Sequence, residues 1–400
     1  MEKRSTFSKV LSGSLLISGT TIGAGMLGIP LVTNACGFIP ASVICVVVWL
    51  FMLLTGLLLL RATLWLPDHS SYLSISKKFL GRGGEVVTGV MFVFLYYCLM
   101  IAYFAAGSHL IADLLYCYLN ISLFGPFSIL LFSTFFFIIV VIGPKSIDRV
   151  NIVLSLCMFA LWFVLLGLGI PHVDEELLVT RDFSKMWVAL PLLFGAFGYH
   201  NIIPSLTSYL KRDKKALRLS IYIGATIPLV AYVLWQWLIL GILPDNVIQD
   251  LMGKGLPVTF ALKEFVHSKY IFVTGQLFAL FAIITSVLGV SFSLIDFLAD
   301  GFNKKAKGVN RIWLSLLTIL PPALIALSNP SVFEKALSIA GGFGEAILNG
   351  FLPVAVVYSA CYFLKKPQYE CVKGGRVLLI ILAGFALLVT VIEALHLAFD

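Results

Sequence analysis

Charged side chains are scarce in this 400-residue chain: Asp, Glu, Lys and Arg make up 12% of it, while hydrophobic types make up 60%. A soluble domain usually contains about 25% charged residues, because its surface must be polar. The shortage excludes a water-soluble globular protein and predicts a chain that lies largely within a lipid bilayer.

Catalytic and metal-ligand patterns are missing as well. A membrane-embedded enzyme would need a compact set such as His-Glu-x-x-His, Gly-x-Ser-x-Gly or paired intramembrane aspartates, and the sequence contains none of these. The seven cysteines show no metal-ligand spacing and are explained as small buried apolar residues. No basic segment is interleaved with exposed aromatic residues, so nucleic acid is not a predicted partner. We expect no enzyme activity, no metal and no cofactor.

What is present is a series of eleven apolar segments. A hydrocarbon core of about 30 Å takes roughly 20 helical residues to cross. The segments, named spans 1 to 11, are residues 10–32, 40–60, 86–111, 127–142, 150–168, 187–210, 221–242, 271–298, 312–327, 343–364 and 377–399. All but six of the 28 Lys and Arg residues fall on the amino-terminal side of the bilayer, and positively charged loops stay cytoplasmic. This predicts a multi-pass membrane protein with a cytoplasmic amino terminus and a carboxyl terminus outside.

Two of the spans are interrupted in the middle. Span 1 contains Gly19-Thr20-Thr21-Ile22-Gly23-Ala24-Gly25-Met26-Leu27-Gly28-Ile29-Pro30, and span 6 contains a fainter version, Phe194-Gly195-Ala196-Phe197-Gly198-Tyr199-His200-Asn201-Ile202-Ile203-Pro204. Glycine and proline weaken a helix and free backbone N–H and C=O groups, which at this depth must be buried in protein or line a cavity. The pair of broken helices predicts a secondary transporter with its site at the breaks. Hydropathy alone also allows a receptor or a passive channel, but neither needs such a pair.

The breaks divide the chain into two halves. Spans 1 to 5 (residues 1–168) and spans 6 to 10 (residues 169–364) each begin with a broken helix, and five helices per half force opposite orientations. Span 11 and the carboxyl terminus (residues 365–400) are not required by this repeat. We predict an all-α fold with a five-plus-five inverted repeat and one extra helix.

The ends of the half-helices indicate what binds between them. Helix N-termini attract a carboxylate and helix C-termini attract an ammonium group or a cation, so a zwitterionic amino acid suits both. The alternative is that small residues serve close helix packing. The candidate binding residues are Thr20, Thr21, Ile22, Gly23, Ala24, Gly25 and Met26 at the first break, Phe194, Gly195, Phe197, Gly198, Tyr199 and His200 at the second, and Tyr97 and Tyr103 in span 3.

Rings around these breaks favour an aromatic substrate, since each ring contact adds about 0.5–1.5 kcal/mol beyond burial. Tyr96 and Tyr103 lie seven residues apart and therefore share one face of span 3. With 13% aromatic residues in the chain, chance also places rings there.

The segment from Gly19 to Pro30 resembles the signature of the bacterial hydroxy and aromatic amino acid permeases, which belong to the amino-acid/polyamine/organocation superfamily with the LeuT-type inverted repeat. Further matching stretches are Phe197-Gly198-Tyr199-His200, Ile227-Pro228-Leu229-Val230-Ala231-Tyr232, Phe297-Leu298-Ala299-Asp300 and Val372-Lys373-Gly374-Gly375-Arg376. The resemblance implies uptake of tyrosine, or of tyrosine and tryptophan, across the bacterial cytoplasmic membrane with an ion gradient. A broader neutral amino acid permease or an exchanger stays open.

The coupling ion is the least determined feature. The resemblance implies a proton, because this family is regarded as proton-driven. In sodium-coupled members of the LeuT-type fold, two hydroxyls join carbonyls of the first broken helix around Na⁺. Thr285 and Ser286 resemble that pair, with the carbonyls of Gly19 and Ile22 as partners. Helix hydroxyls also bond back to the preceding turn, which is the alternative.

Acids within or beside the spans are candidates for ion coupling by default. Glu345 stands at the beginning of span 10, where a helix N-terminus favouring an acid is the alternative explanation. Asp113, Asp296 and Glu393 lie near span ends, where snorkelling to water accounts for them.

Overall fold

The computed structural model describes residues 6–68, 70–123, 125–179, 182–262, 268–302, 304–364 and 374–399, and these contain helices but no strand. The α-helices are Thr6–Thr21, Gly25–Thr33, Phe38–Leu64, Tyr72–Leu119, Gly125–Ile142, Pro144–Gly169, Leu190–Ala196, Ile203–Tyr209, Lys214–Ile242, Asp245–Lys254, Lys269–Gly301, Val309–Ser328, Phe333–Ile339, Leu352–Tyr358 and Gly375–Phe399. Ala340–Phe351 and Ser359–Phe363 are π-helices. The all-helical prediction is confirmed for the described residues.

Ten helical segments in the described residues are long and apolar enough to cross a membrane. A pair of shorter helical segments, Thr6–Thr21 and Gly25–Cys36, would make an eleventh membrane-crossing segment. The chain bends by 58° between them. These segments lie where hydropathy predicted spans 1 to 11. The inverted relation between the two halves and the domain limits stay predictions.

Span 3 is preceded by an unpredicted helix. The helix Tyr72–Leu119 begins at a capping box formed by Ser71 and Ser74, well before residue 86. Gly81, with φ 73° and ψ −166°, interrupts its helical geometry. Only glycine enters that region freely, so the chain bends there between an entry helix and the span.

The first half of span 1 packs along span 7. A Cβ atom on Gly13 would lie 2.8 Å from the Ser220 Cβ, and one on Gly224 would lie 2.7 Å from the Ile17 Cβ. At the amino-terminal end, the Lys9 ammonium donates a 2.8 Å hydrogen bond to Asp213 and lowers the pKa of that carboxyl. This half-helix and span 7 therefore form one packed unit.

Span 10 is longer than predicted and mainly π-helical. It begins at Phe333, and its glycine-rich part, Ala340–Phe351, packs closely on spans 3, 6 and 11. A Cβ atom on Gly341 would lie 2.7 Å from the Gly195 nitrogen of span 6. The corresponding atom on Gly344 would lie 2.9 Å from the Leu95 Cβ of span 3. Because these glycines have no side chain, span 10 lies directly against the second break.

Candidate functional site

A cavity of about 260 Å³ lies where the two broken spans cross. Spans 1, 3, 6, 8 and 10 supply most of its wall, and Asn151 and Ser155 of span 5 complete it. The sequence-predicted residues that line it are Gly19, Thr20, Thr21, Ile22, Gly23, Ala24, Gly25, Tyr103, Gly195, Gly198, Thr285, Ser286 and Glu345. The structure thus brings both breaks, part of the aromatic set and the ion-coupling candidates to one space.

The first break exposes backbone to this cavity. The helix ends at Thr21 and resumes at Gly25, and the Ala24 N–H donates a 3.1 Å hydrogen bond to the Ser286 hydroxyl. No hydrogen bond from the described residues reaches the carbonyl oxygens of Gly19 and Ile22. The break therefore presents acceptors suited to an ammonium group or a cation.

Thr285 and Ser286 have partners of their own. The Thr285 hydroxyl donates back to its helix, at 2.9 Å from the Phe281 carbonyl oxygen and 3.1 Å from that of Ala282. The Ser286 hydroxyl supports the first break through the Ala24 N–H. Each hydroxyl therefore has a hydrogen-bond partner within the protein, and each oxygen keeps a lone pair for a further partner.

One hydroxyl joins the two breaks. The Tyr232 oxygen in span 7 lies 2.7 Å from the Thr21 carbonyl oxygen and 2.7 Å from that of Ala196. Each of these residues is the last of the first half of its broken span. The Tyr232 ring is fully buried, with its edge against Phe197 at 4.9 Å between ring centroids. Since a phenol has one proton to donate, it serves one carbonyl at a time and leaves the other for a different donor.

Tyr232→Phe should lower the maximal uptake rate about tenfold without reducing the amount of inserted protein. The substitution preserves the ring but removes the one proton that the two buried carbonyls share, at a cost of about 1–3 kcal/mol. Tyr97→Phe is the matched control, because the Tyr97 hydroxyl also donates to a carbonyl, that of Leu317, at 2.7 Å and outside the cavity lining. Equal uptake by the two variants would contradict a special role for Tyr232.

Three predicted rings do not line the cavity: Phe194 and Phe197 are buried in the protein interior, and Tyr97 is half-buried. Phe194 lies between Phe51 and Phe385, at 4.9 Å and 5.9 Å between ring centroids. Phe197 supports Tyr232 from behind the second break. Tyr97 points toward span 9, where its hydroxyl meets Leu317. Adjacent residues of a helix point about 100° apart, so Tyr97 faces away while Tyr96 faces inward.

Three further predicted residues are also outside the lining. Met26 is fully buried in the second half of span 1. The Tyr199 hydroxyl donates to the Met52 carbonyl oxygen at 3.0 Å, and the His200 Nε2 lies 2.9 Å from the Thr55 hydroxyl. Both contacts hold the second break against span 2, which gives these polar groups a structural role.

The cavity also contains residues outside the predicted set. Tyr96 lies in its wall, and the Asn201 amide donates to the Tyr96 hydroxyl at 2.9 Å. Tyr72 of the entry helix donates to the Asn349 side-chain oxygen at 3.1 Å. The seven-residue spacing with Tyr103 was a sufficient signal for Tyr96, whereas no local pattern marks Tyr72 or Asn349.

The sequence prediction that Glu393 snorkels to water is wrong. Its side chain does not reach water: it is 1% exposed and accepts a 2.6 Å hydrogen bond from the Ser338 hydroxyl. It packs against Gly342, on which a Cβ atom would lie 2.6 Å from the Glu393 Cγ. Span 11 therefore inserts a buried acid against span 10, a contact that helix-end position alone did not reveal.

Comparison with known proteins decides the family. The sequence matches the tryptophan/tyrosine permease family over residues 6–393. The chain belongs to that family. It is 35% identical to the tyrosine-specific transport system 1 of Haemophilus influenzae, with 96% of each chain covered. It is 30% identical to the tryptophan-specific transport protein of the same organism, with 95% of this chain and 93% of the relative covered.

The fold of this permease is found in solved transporters. MhsT in complex with L-phenylalanine aligns with a TM-score of 0.60 at 14% identity, over 96% of this chain and 98% of that one. The permease is accordingly a multi-pass bacterial membrane protein with a LeuT-type fold, and it is a transport protein and not an enzyme.

Proposed function

We propose that the permease imports aromatic amino acids, tyrosine and also tryptophan, across the cytoplasmic membrane by proton symport. The observation that carries the proposal is the cavity at the crossing of the two breaks, whose lining combines free backbone acceptors with aromatic rings. Its volume of about 260 Å³ is near the lower limit of small-molecule sites, roughly 300 Å³, which suits one amino acid.

The rings in the wall support an aromatic side chain over an aliphatic one. Phe92, Tyr96 and Tyr103 line the same side of the cavity, and the Phe92 and Tyr96 rings are stacked at 4.3 Å between centroids. Relatives named as tyrosine-specific and tryptophan-specific agree with this choice. A substrate ring placed there would gain about 0.5–1.5 kcal/mol per ring contact beyond burial.

Uptake of labelled tyrosine, tryptophan, phenylalanine and leucine into proteoliposomes tests the substrate class. We expect concentrative uptake of tyrosine and tryptophan, inhibited by each other and little affected by leucine. Equal transport of leucine would favour the broader neutral amino acid permease instead. Uptake that requires an internal amino acid would favour the exchanger.

The proton is the proposed coupling ion because the family resemblance implies it and because the hydrogen bonds of the sodium-type hydroxyl pair explain both hydroxyls without a cation. Thr285 bonds back to its own helix and Ser286 accepts from Ala24. A hard cation needs several oxygen ligands. One charge moved through 100 mV supplies about 2.3 kcal/mol, enough for roughly fifty-fold accumulation.

Thr285→Val combined with Ser286→Ala should reduce uptake only about two- to fivefold, the effect of losing hydrogen bonds worth about 1 kcal/mol. An inward proton gradient should still drive accumulation in sodium-free buffer. The measurement is uptake against imposed pH and sodium gradients applied separately. Accumulation by a sodium gradient alone, with a steep rise in the sodium requirement of the double variant, would establish sodium coupling.

The orientation proposed from the Lys and Arg distribution is also testable. Single cysteines at Lys214 and Glu175, in a background whose native cysteines do not react, should differ in labelling by an impermeant thiol reagent in intact cells. Glu175 lies in a short helix between spans 5 and 6 and should react, whereas Lys214 at the start of span 7 should not. Labelling at Lys214 alone would invert the orientation.

A further inference from the structure

Glu345 is the one acid among the described residues that line the cavity, and no Lys, Arg or His accompanies it there. Its side chain is 6% exposed, in the π-helical part of span 10. An acid enclosed without a cation needs an explanation, because a buried unpaired charge is strongly disfavoured.

The carboxyl group is held against the second break. A Cβ atom on Gly198 would lie 2.8 Å from the Glu345 Cδ and 2.9 Å from Oε2. The Asn349 amide donates to Oε2, and Tyr72 in turn donates to the Asn349 oxygen at 3.1 Å. Oε2 is therefore held by an amide, while Oε1 lies over the backbone of Gly198 and is the oxygen placed to receive a proton.

The titratable groups around Glu345 leave it without a counter-ion. Span 3 and its entry helix contribute the phenols of Tyr72, Tyr96 and Tyr103 to the same wall. Span 6 contributes Gly198, and span 11 contributes a second acid, Glu393, which packs on Gly342 and bonds to Ser338. None of these groups can neutralise a carboxylate by charge. A proton, or a cation that enters with the substrate, must do so.

We propose that Glu345 is the proton-binding group of the symport, an inference that rests on the proposed function. A zwitterionic amino acid has no net charge, so a site that closes over it is neutral only when Glu345 is protonated. Closure with substrate therefore requires the proton, and the two move together. On the outer side an O–H bond of hydronium breaks as the O–H bond on Oε1 forms, which leaves water. After the substrate leaves, the O–H bond on Oε1 breaks and the proton passes to cytoplasmic water, which forms hydronium and regenerates the carboxylate.

Glu345→Gln tests the assignment in purified protein reconstituted into liposomes. The amide imitates the protonated acid in size but cannot release a proton. In the wild type, a one-unit pH gradient should drive accumulation of up to about tenfold for one proton. In the variant, we expect the internal concentration only to equal the external one. Substrate-dependent proton entry, followed with an internal pH-sensitive dye, should vanish. Exchange of external labelled tyrosine for internal tyrosine should stay within about threefold of wild type.

Glu393→Gln is the matched control, because it alters a buried acid of span 11 that packs against span 10 and does not line the cavity. It should retain proton-driven accumulation. Accumulation and proton entry that persist in Glu345→Gln would overturn the proposal. So would loss of exchange in an inserted Glu345→Gln protein, which would assign Glu345 to substrate binding.

Two further measurements separate the ways in which this test can fail. If the glutamine variant does not insert, Glu345→Asp takes its place: coupling should persist with a displaced pH dependence of uptake, and an unchanged pH dependence would overturn the assignment. A wild-type protein that fails to accumulate tyrosine on a pH gradient would overturn proton symport itself. That result is distinguishable, since it appears before any variant is made.

Discussion

Replacing Gly25 with leucine is expected to reduce uptake by at least about a hundredfold while leaving the protein in the membrane. A Cβ atom on Gly25 would lie 3.3 Å from the Ala196 Cα, so a side chain there would project directly between the two breaks. Four added carbons at that point fill the cavity and separate spans 1 and 6. Overpacking typically costs about 1–3 kcal/mol, and here it falls on the substrate site itself.

Gly384→Leu is the control for this prediction. Gly384 lies on the exposed surface of span 11, and no atom of the described residues is within 4 Å of the position that a Cβ atom would take there. The same four carbons should leave tyrosine uptake within about twofold of wild type. Normal transport by an inserted Gly25→Leu protein would remove the argument that substrate binds between the breaks.

The second large effect is expected from Gly341→Ala, in which one methyl group meets only backbone. It would collide with the Pro191 carbonyl oxygen and lie 2.7 Å from the Gly195 nitrogen. Backbone atoms of a packed helix cannot rotate away, so span 10 must separate from span 6. We expect uptake to fall about ten- to hundredfold, which corresponds to a cost of about 1–3 kcal/mol.

The expected separation can be observed directly. Leu192 and Leu337 pack over Gly28 and are almost fully buried. A cysteine at Leu337 should react faster with a thiol reagent when Gly341 is alanine. Gly167→Ala, with no atom of the described residues within 4 Å of the added carbon, should change neither uptake nor labelling. Unchanged labelling together with wild-type uptake in Gly341→Ala would show that spans 6 and 10 need not pack so closely.

The position of the membrane-crossing segments and of the first break followed from the sequence alone. Hydropathy is local, and so is the weakening of a helix by Gly23 and Gly25, so neither depends on which helices become neighbours. The same holds for the second break, from Phe197 to the short helix that starts at His200. The rings around the breaks favoured an aromatic substrate, and the family resemblance added tyrosine and tryptophan.

Tertiary structure decided which side chains face the cavity. Tyr96 and Tyr97 differ by one helical step, and only the packing of span 3 against spans 8 and 10 turns Tyr96 inward. His200 stood in the right stretch, but a hydroxyl from Thr55 on a distant helix gives it a structural partner. Long-range pairing of polar groups has no signature in a single sequence.

Glu345 and Glu393 show most clearly what the sequence determined and what the tertiary structure determined. The sequence by itself determined that two acids, Glu345 and Glu393, stand within apolar spans. Only the fold decided that one opens onto the cavity beside Gly198 while the other is held by Ser338 against span 10. The physical reason is that a buried carboxyl group takes its role from the donors and charges around it, and those come from other helices.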